Sequence, residues 1–159
     1  MSADAGSQPK IVLVVDDDRP LRTLCRTSLE EAGFRVLEAA DGEQALASVH
    51  DEHPDLILLD IMMPGISGWE VTSALLADRS TDRIPIIFMT ARTELADRAR
   101  AFGLGAQDYV TKPFDPRALA KIVAKTLDEI DRGERDAALA ETLSALKKEQ
   151  LTEGKPPLS

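Results

Sequence analysis

The sequence predicts an α/β fold in which a parallel five-stranded sheet is doubly wound, with helices on both faces. Aliphatic runs without polar alternation, such as 11–15 and 56–59, are typical of strands covered on both sides. Five segments of strand character alternate with five segments that carry apolar residues at helical spacing. Such alternation favours a parallel sheet with right-handed crossovers, because each helix returns the chain to the same end of the sheet.

The first strand–helix unit begins after a short polar segment. Residues 10–15 form a strand that ends in three consecutive aspartates, 16–18. Pro20 suits the first turn of a helix, and the second or third of these acids is placed to cap it. Gly33 is expected to end that helix. Four residues at helical spacing are expected to face inward: Leu21, Leu24, Cys25 and Leu29.

The second and third units repeat the pattern. A short strand at 34–39 leads into a helix over 43–52. The third strand, 56–59, is followed at once by Asp60, and a helix over 68–76 comes after a Pro-Gly turn. Ligand sites in parallel sheets collect at the carboxyl ends of the strands, where Asp60 lies. A lone aspartate there is more often a cap for a loop or the next helix, but partners at three other strand ends favour a functional role for Asp60.

The last two units complete the sheet. A strand at 84–89 ends in Thr90, and a less apolar helix covers 94–102. The fifth strand, 107–110, is followed by Lys112. The fifth helix opens at Asp115-Pro116 and carries an apolar face of Leu119, Ile122, Val123, Leu127 and Ile130.

Composition narrows the class of protein. The chain has 159 residues and a formal net charge of −9, which argues against a protein that binds nucleic acid over its whole length. The single cysteine, Cys25, excludes an internal disulfide and suggests a reducing compartment. Neither a membrane span nor a signal-peptide core is present in the sequence. We therefore expect a cytoplasmic protein with no membrane contact.

The strand ends bring together side chains suited to phosphoryl transfer. Asp16, Asp17 and Asp60 would converge at one edge of the sheet, and three carboxylates repel one another unless a cation lies between them. Mg²⁺ prefers such oxygen ligands, and a carboxylate held beside it can act as a nucleophile toward phosphorus. Thr90 and Lys112 would supply a hydroxyl and an ammonium to the oxygens of the phosphoryl group.

Taken in order, these motifs resemble the receiver domain of two-component response regulators. The resemblance covers about residues 9–131 and rests on DDD (16–18), LLDIMMPGISG (58–68), MTA (89–91) and YVTKPF (109–114). It implies a flavodoxin-like (βα)5 fold similar to that of single-domain chemotaxis regulators, with strand order 2-1-3-4-5. It further implies a cis peptide between Lys112 and Pro113.

The resemblance also implies roles for individual residues. Asp60 would be the phosphoacceptor, and Mg²⁺ would be held by Asp16, Asp17, Asp60 and the backbone carbonyl of Met62. Thr90 and Lys112 would bind the phosphoryl group.

Two further pairs follow from the same resemblance. Thr90 and Tyr109 would form the conformational switch, in which the aromatic ring turns inward as the threonine moves toward the phosphate. Met62 and Arg92 occupy positions that tune hydrolysis in the family. Neither is an acid or amide that would orient water, so we expect a long-lived phosphoprotein.

The implied partners are a histidine kinase or phosphotransfer protein as donor and a downstream protein as target. A signalling phosphoacceptor of this kind catalyses only its own phosphorylation and dephosphorylation and is not otherwise an enzyme. The main alternative from another class is a small Mg²⁺-dependent phosphatase that also forms an aspartyl phosphate. Such hydrolases need a second carboxylate two residues after the nucleophile, where this chain has Met62.

The predicted domain organisation has three parts: a disordered segment (1–9), the receiver domain (10–131), and a helical extension with a loose tail (132–159). Gly133 marks either a hinge or a phase shift within one long helix. Leucines 139, 143 and 146 form a narrow apolar stripe in the extension. The stripe is compatible with weak packing on the domain, with a homodimer through the fifth helix and tail, or with a linker to an absent output domain.

The fifth helix departs from the pattern of many DNA-binding relatives. It carries Ala118 and Ile122 where that subfamily tends to place Glu and Arg for charged dimer contacts. The mixed charges of 132–159 give no support for a DNA-contacting arm. We therefore expect no direct contact with nucleic acid, and Ile122 favours an apolar contact with a partner chain or the tail.

Overall fold

The computed structural model describes residues 8–91, 95–133 and 145–146, apart from the side chain of Leu95. The strands are β1 (Ile11–Val15), β2 (Arg35–Ala39), β3 (Leu56–Asp60), β4 (Ile86–Thr90) and β5 (Asp108–Thr111). The helices are α1 (Arg19–Glu31), α2 (Gly42–Glu52), α3 (Gly68–Leu76), α4 (Leu95–Gly103) and α5 (Pro116–Asp131).

The five strands form one parallel sheet in the order β2-β1-β3-β4-β5. This confirms the predicted α/β class and strand order. Because β3 lies at the centre of the sheet, its last residue, Asp60, has the ends of β1 and β4 on either side.

The core has two layers, one on each face of the sheet. On one face, alternate strand residues pack against α2, α3 and α4; they include Leu13, Ile57, Leu59, Phe88, Val49, Val71 and Ala101. On the other face, the intervening strand residues pack against α1 and α5; they include Val14, Leu56, Leu58, Ile87, Cys25, Leu29, Leu119 and Val123. Burial on both faces explains why the strand sequences show uninterrupted aliphatic runs.

Capping side chains fix where α1 and α3 begin at the carboxyl edge of the sheet. Asp18 caps α1 and accepts a hydrogen bond from the backbone N–H of Leu21, as one of the two predicted alternatives requires. Ser67 caps α3 in a reciprocal capping box with Glu70. The loops after β1 and β3 therefore end at defined points. The first loop carries Asp16 and Asp17, and the second directly follows Asp60.

The prediction that Leu24 faces the core is wrong. Leu24 is 55% exposed, although its neighbour Cys25 is fully buried. Leu21, Cys25 and Leu29 are four residues apart and form the stripe that α1 turns toward the sheet, whereas Leu24 lies to one side of it. Observed element boundaries otherwise differ from the predicted ones by one or two residues, as at β4, which begins after Pro85.

The chain beyond α5 is described only in part. The helix ends at Asp131, and Gly133 adopts φ +77°, so a single continuous helix through this position is wrong. Leu146 is buried, while Leu139 and Leu143 of the predicted stripe lie outside the described residues. Seven of the nine residues predicted to be disordered, 1–7, also lie outside them. Within the described ranges, no helix has the length and apolar character needed to cross a membrane.

Candidate functional site

Three carboxylates meet at the carboxyl edge of the sheet. Asp16 follows β1, Asp17 follows it in the loop, and Asp60 ends β3. One oxygen from each lies within 4.8 Å of the others. Asp16 and Asp60 are buried at 0% and 4% exposure, whereas Asp17 is exposed. The predicted convergence of these side chains is therefore present in the structure.

The Lys112 ammonium lies between two of these carboxylates. Its Nζ donates hydrogen bonds to Oδ2 of Asp16 at 2.6 Å and to Oδ2 of Asp60 at 3.2 Å. Burial alone would lower the pKa of Lys112, but the hydrogen bond to Asp16 and the charge of Asp60 raise it overall. The lysine is thus a charged counter-ion for the pair.

The environment of Asp60 favours its protonated form more than water does. Burial and the nearby charge of Asp16 raise the pKa of Asp60, and Lys112 and the backbone N–H of Met62 oppose this shift. A cation at the cluster would relieve the same repulsion. Lys112 therefore offsets only part of the effect that burial and Asp16 have on Asp60.

The loop after β3 contacts Asp60 through its backbone. The backbone N–H of Met62 donates to Oδ1 of Asp60 at 3.2 Å, and that of Gly68 donates to the carbonyl of Ile61 at 2.9 Å. A Cβ on Gly68 would clash with the Asp60 carbonyl oxygen and lie 2.8 Å from Cα of Ile61. Glycine at the start of α3 is required by this close approach, while the Met62 side chain points to solvent with 59% exposure.

Thr90 and Tyr109 lie on the two strands nearest Lys112. Thr90 ends β4 and is fully buried, and its carbonyl accepts a hydrogen bond from the backbone N–H of Lys112 at 2.8 Å. Tyr109 is half-buried on β5, with its ring 6.5 Å from that of Phe88. The peptide between Lys112 and Pro113 is cis, as predicted. Arg92, the other predicted hydrolysis-tuning position beside Met62, lies outside the described residues.

Sequence reasoning missed a residue that contacts this site from α1. Nη1 of Arg22 donates a 2.6 Å hydrogen bond to the backbone carbonyl of Asp16, and its Nε donates to Oε1 of Glu38 at 3.2 Å. An arginine in the second turn of a polar helix gives no sequence signal for such a contact. It depends on where β2 places Glu38.

The donor set fits a hard divalent cation. Carboxylate and carbonyl oxygens are the ligands that Mg²⁺ prefers, and the three clustered groups are all carboxylates. Asp17 is exposed, which leaves room for the waters that Mg²⁺ retains. Asp16, Asp17 and Asp60 could therefore hold such an ion.

Comparison with protein families agrees with this geometry. Residues 12–124 match the family model described as the response regulator receiver domain. The match covers all the strands except the first residue of β1, and it includes the first part of α5. The chain belongs to the response regulator receiver family. The resemblance inferred from the DDD, LLDIMMPGISG, MTA and YVTKPF motifs is thereby confirmed.

Curated relatives of this receiver are longer regulators. The phosphate regulon transcriptional regulatory protein PhoB of Pseudomonas aeruginosa is 42% identical over 130 residues, which are 82% of this chain and 57% of the relative. The probable transcriptional regulator ycf27 of Cyanophora paradoxa is 46% identical over 110 residues, 69% of this chain and 45% of the relative. The chain spans about half the length of the curated relatives it matches.

Solved receiver structures share the fold over nearly their whole length. Chemotaxis protein CheY4 of Vibrio cholerae is 31% identical with a TM-score of 0.71, covering 75% of this chain and 99% of that one. A CheY-like receiver domain protein from Methanospirillum hungatei is 29% identical with a TM-score of 0.73, covering 79% and 99%. These likenesses confirm the predicted flavodoxin-like receiver fold.

Proposed function

We propose that this receiver accepts a phosphoryl group on Asp60 from the phosphohistidine of a histidine kinase or phosphotransfer protein. One observation carries the proposal: the buried Asp60 carboxylate lies 3.2 Å from the Lys112 ammonium and within 4.8 Å of the Asp16 and Asp17 carboxylates. Membership of the receiver family supports a role in two-component signalling.

The proposed reaction exchanges one bond to phosphorus for another. A carboxylate oxygen of Asp60 attacks the phosphorus atom, the phosphorus–nitrogen bond to the donor imidazole breaks, and an acyl phosphate forms. The imidazole leaves with the electron pair of the broken bond. Burial of Asp60 lowers the hydration of its carboxylate, and the hydrogen bond from Met62 N–H fixes its orientation.

Asp16, Asp17 and Asp60, with the carbonyl of Met62, would hold Mg²⁺. When bound, Mg²⁺ would supply positive charge to the phosphoryl oxygens. The chain itself supplies the Lys112 ammonium and, we propose, the Thr90 hydroxyl as donors to the same oxygens. Lys112 is already near Asp60, so binding a phosphoryl oxygen requires only that it exchange one anionic partner for another.

We propose that the output is a protein–protein contact switched by Thr90 and Tyr109. Thr90 and Lys112 are linked through backbone hydrogen bonding, and Tyr109 packs on Phe88, which is two residues before Thr90 on the same strand. A shift of Thr90 toward a phosphoryl group would therefore be felt at the ring of Tyr109.

We also propose that the protein is not a turnover enzyme beyond its own phosphorylation and dephosphorylation. An aspartyl-phosphate phosphatase of the alternative class would need an acid two residues after Asp60. Met62 stands there with its thioether side chain in solvent. The cytoplasmic location expected from the sequence remains a prediction.

A larger regulator is a second candidate context for this receiver. The relatives named above are transcriptional regulators about twice as long as the matched region, which supports an origin within such a protein. A homodimer through α5 and the extension also stays a prediction. Light scattering on this chain with and without beryllofluoride measures directly whether the homodimer forms.

The decisive test is phosphorylation by a small phosphodonor such as acetyl phosphate. We expect intact mass spectrometry to show one added phosphoryl group that hydroxylamine removes. Labelling should require Mg²⁺ and should not occur when EDTA is added before the phosphodonor. The variant Asp60→Asn should show none, whereas Asp115→Asn, which changes an exposed capping acid, should be labelled normally. Labelling of Asp60→Asn at the wild-type rate would overturn the proposal.

A further inference from the structure

We propose that Arg22 is a positioning residue for the metal-binding acid pair. Its guanidinium fixes the peptide group that joins Asp16 to Asp17, and Glu38 holds the guanidinium in place. This inference rests on the proposed function, because it concerns how the chain presents these two acids to a divalent cation.

The Asp16 backbone is fixed from both sides. Its N–H donates to the carbonyl of Ala39 at 3.1 Å, and its carbonyl accepts from Nη1 of Arg22 at 2.6 Å. The first bond continues the ladder between β1 and β2 by one residue. The second is a charge-assisted hydrogen bond at a short distance, made by a side chain only 13% exposed to water.

The peptide held by Arg22 determines where the second acid lies. The Asp16 carbonyl belongs to the planar unit that ends at Cα of Asp17, so its orientation sets the direction in which the chain continues. Asp16 is fully buried and its carboxylate is also bound by Lys112, whereas Asp17 is exposed. The Arg22 contact therefore helps to set where the exposed acid lies relative to the buried one.

Arg22 is itself oriented by a chain of alternating charges. Glu38 accepts from Nε of Arg22 at 3.2 Å and from Nη1 of Arg26 at 2.8 Å. Arg26 also pairs with Glu30 at 3.3 Å. The two cations and two anions neutralise each other, so the guanidinium lies close to the cluster without adding a net charge to its surroundings.

Positioning and simple electrostatics predict opposite effects on metal binding. Removal of the Arg22 charge lessens repulsion of a cation, so Coulomb interactions alone would tighten Mg²⁺ binding in Arg22→Met. Loss of positioning would weaken it, because the acid pair would sample more orientations. Arg22→Lys keeps the positive charge but lacks the planar guanidinium that bonds to both Glu38 and the Asp16 carbonyl. Only the positioning role therefore predicts a change of Mg²⁺ affinity in Arg22→Lys.

The test is calorimetric titration of Mg²⁺ into the metal-free full chain at fixed ionic strength, with wild type, Arg22→Met, Arg22→Lys and Arg26→Met. Arg26→Met is the matched control. Arg26 lies on the same helix as Arg22 and binds the same glutamate, Glu38, but its hydrogen bonds go to Glu30 and Glu38 and not to Asp16. Thermal unfolding in EDTA, recorded first, sets a titration temperature at which every variant is folded. Labelling by acetyl phosphate is measured in parallel.

We expect Arg22→Met to raise the Mg²⁺ dissociation constant about 10- to 100-fold, the effect usual for groups that orient metal ligands. Arg22→Lys should raise it by a smaller factor, and Arg26→Met should stay within about two-fold of wild type, as an exposed pair contributes little. If Arg22→Met fails to fold, Arg22→Lys alone decides the matter.

Wild-type affinity, or tighter binding, in both Arg22 variants would overturn the positioning role while leaving the proposed function intact. Absence of both Mg²⁺ binding and labelling in the wild type would overturn the proposed function together with this inference. A loss of Mg²⁺ affinity in Arg26→Met equal to that in Arg22→Met would also overturn the positioning role of Arg22. The effect would then belong to the charge network and not to the Asp16 contact.

Discussion

Lys112 and Asp16, separated by 96 positions in the sequence, form a 2.6 Å ion pair at the carboxyl edge of the sheet. The same ammonium reaches Asp60 at 3.2 Å, so one lysine from the loop after β5 joins the ends of β1 and β3. This lysine therefore places one positive charge against both buried acids.

Replacement of Lys112 by methionine tests this role. In metal-free buffer we expect the free energy of unfolding to fall by about 3 kcal/mol, toward the low end for a broken buried ion pair, because the lysine side chain is 23% exposed. We also expect Mg²⁺ to stabilise the variant more than wild type, since the remaining acids lack their counter-ion.

Urea unfolding with and without Mg²⁺ measures both effects of Lys112→Met. Lys125→Met is the control, because that lysine is 78% exposed and pairs with Glu129 of the same helix. A variant as stable as wild type without metal would show that the Lys112 bridge contributes no net stability.

Cys25 should make stability fall at alkaline pH. Burial, assisted by the negative charge of Asp16 and opposed by Lys112, raises the pKa of the Cys25 thiol from 9.0 to about 12. The unfolded chain ionises this thiol first, so its contribution is complete below pH 9 and is lost as pH rises toward 12. The slope is about 1.4 kcal/mol per pH unit.

Denaturant unfolding across that pH range, in wild type and Cys25→Ala, isolates the thiol from other groups that titrate there. The alanine variant should be less stable at neutral pH because of the cavity, but its stability should decline less steeply. Parallel curves for the two proteins would contradict the assigned protonation state.

Gly68→Ala tests the close approach of α3 to Asp60. The added methyl group meets the Asp60 carbonyl and Cα of Ile61, so we expect a loss of about 1–3 kcal/mol from overpacking. Acetyl phosphate labelling should also slow, because the loop that follows Asp60, the proposed phosphoacceptor, must move.

Gly103→Ala is a matched control for Gly68→Ala, since its added Cβ has nothing within 4 Å at the end of α4. It should leave stability unchanged or raise it by about 0.5–1 kcal/mol. Equal effects of the two substitutions, measured by thermal unfolding, would show that the crowding at Gly68 is unimportant.

The lifetime of the proposed acyl phosphate tests the Met62 expectation. With an apolar, exposed side chain beside Asp60, no group at this position orients water, so we expect slow hydrolysis in wild type. Met62→Asn introduces an amide and should shorten the lifetime, whereas Leu24→Asn, at a comparably exposed leucine on α1, should not. A wild-type half-life of seconds, followed by mass spectrometry, would count against the expectation.

Much of the fold and the convergence of the acids follow from sequence because their signals are local. A strand buried on both faces has an uninterrupted aliphatic sequence, and a parallel sheet brings all carboxyl ends to one edge, which places Asp16 beside Asp60. The roles assigned to these residues remain predictions that the experiments above address.

Other features depend on geometry that no local pattern contains. The exposure of Leu24 depends on how far α1 is rotated about its axis, and the helical spacing alone leaves the edge of the buried stripe undefined. The contact of Arg22 with Asp16 depends on a glutamate from β2 that is 16 residues further along the chain. Pairs of this kind become visible only when the elements are packed.

The aromatic rings give this protein an internal optical reporter. Trp69 and Tyr109 are the single tryptophan and the single tyrosine of the chain. Phe88 lies between them, 5.1 Å from the indole and 6.5 Å from the phenol, and the guanidinium of Arg100 covers the indole at 4.4 Å. Emission excited at the red edge of the absorption band therefore comes from Trp69 alone. A rearrangement of Tyr109 that displaces the Phe88 ring would change the surroundings of the indole. Conformational change at the β4–β5 edge can be followed by fluorescence without attaching a dye.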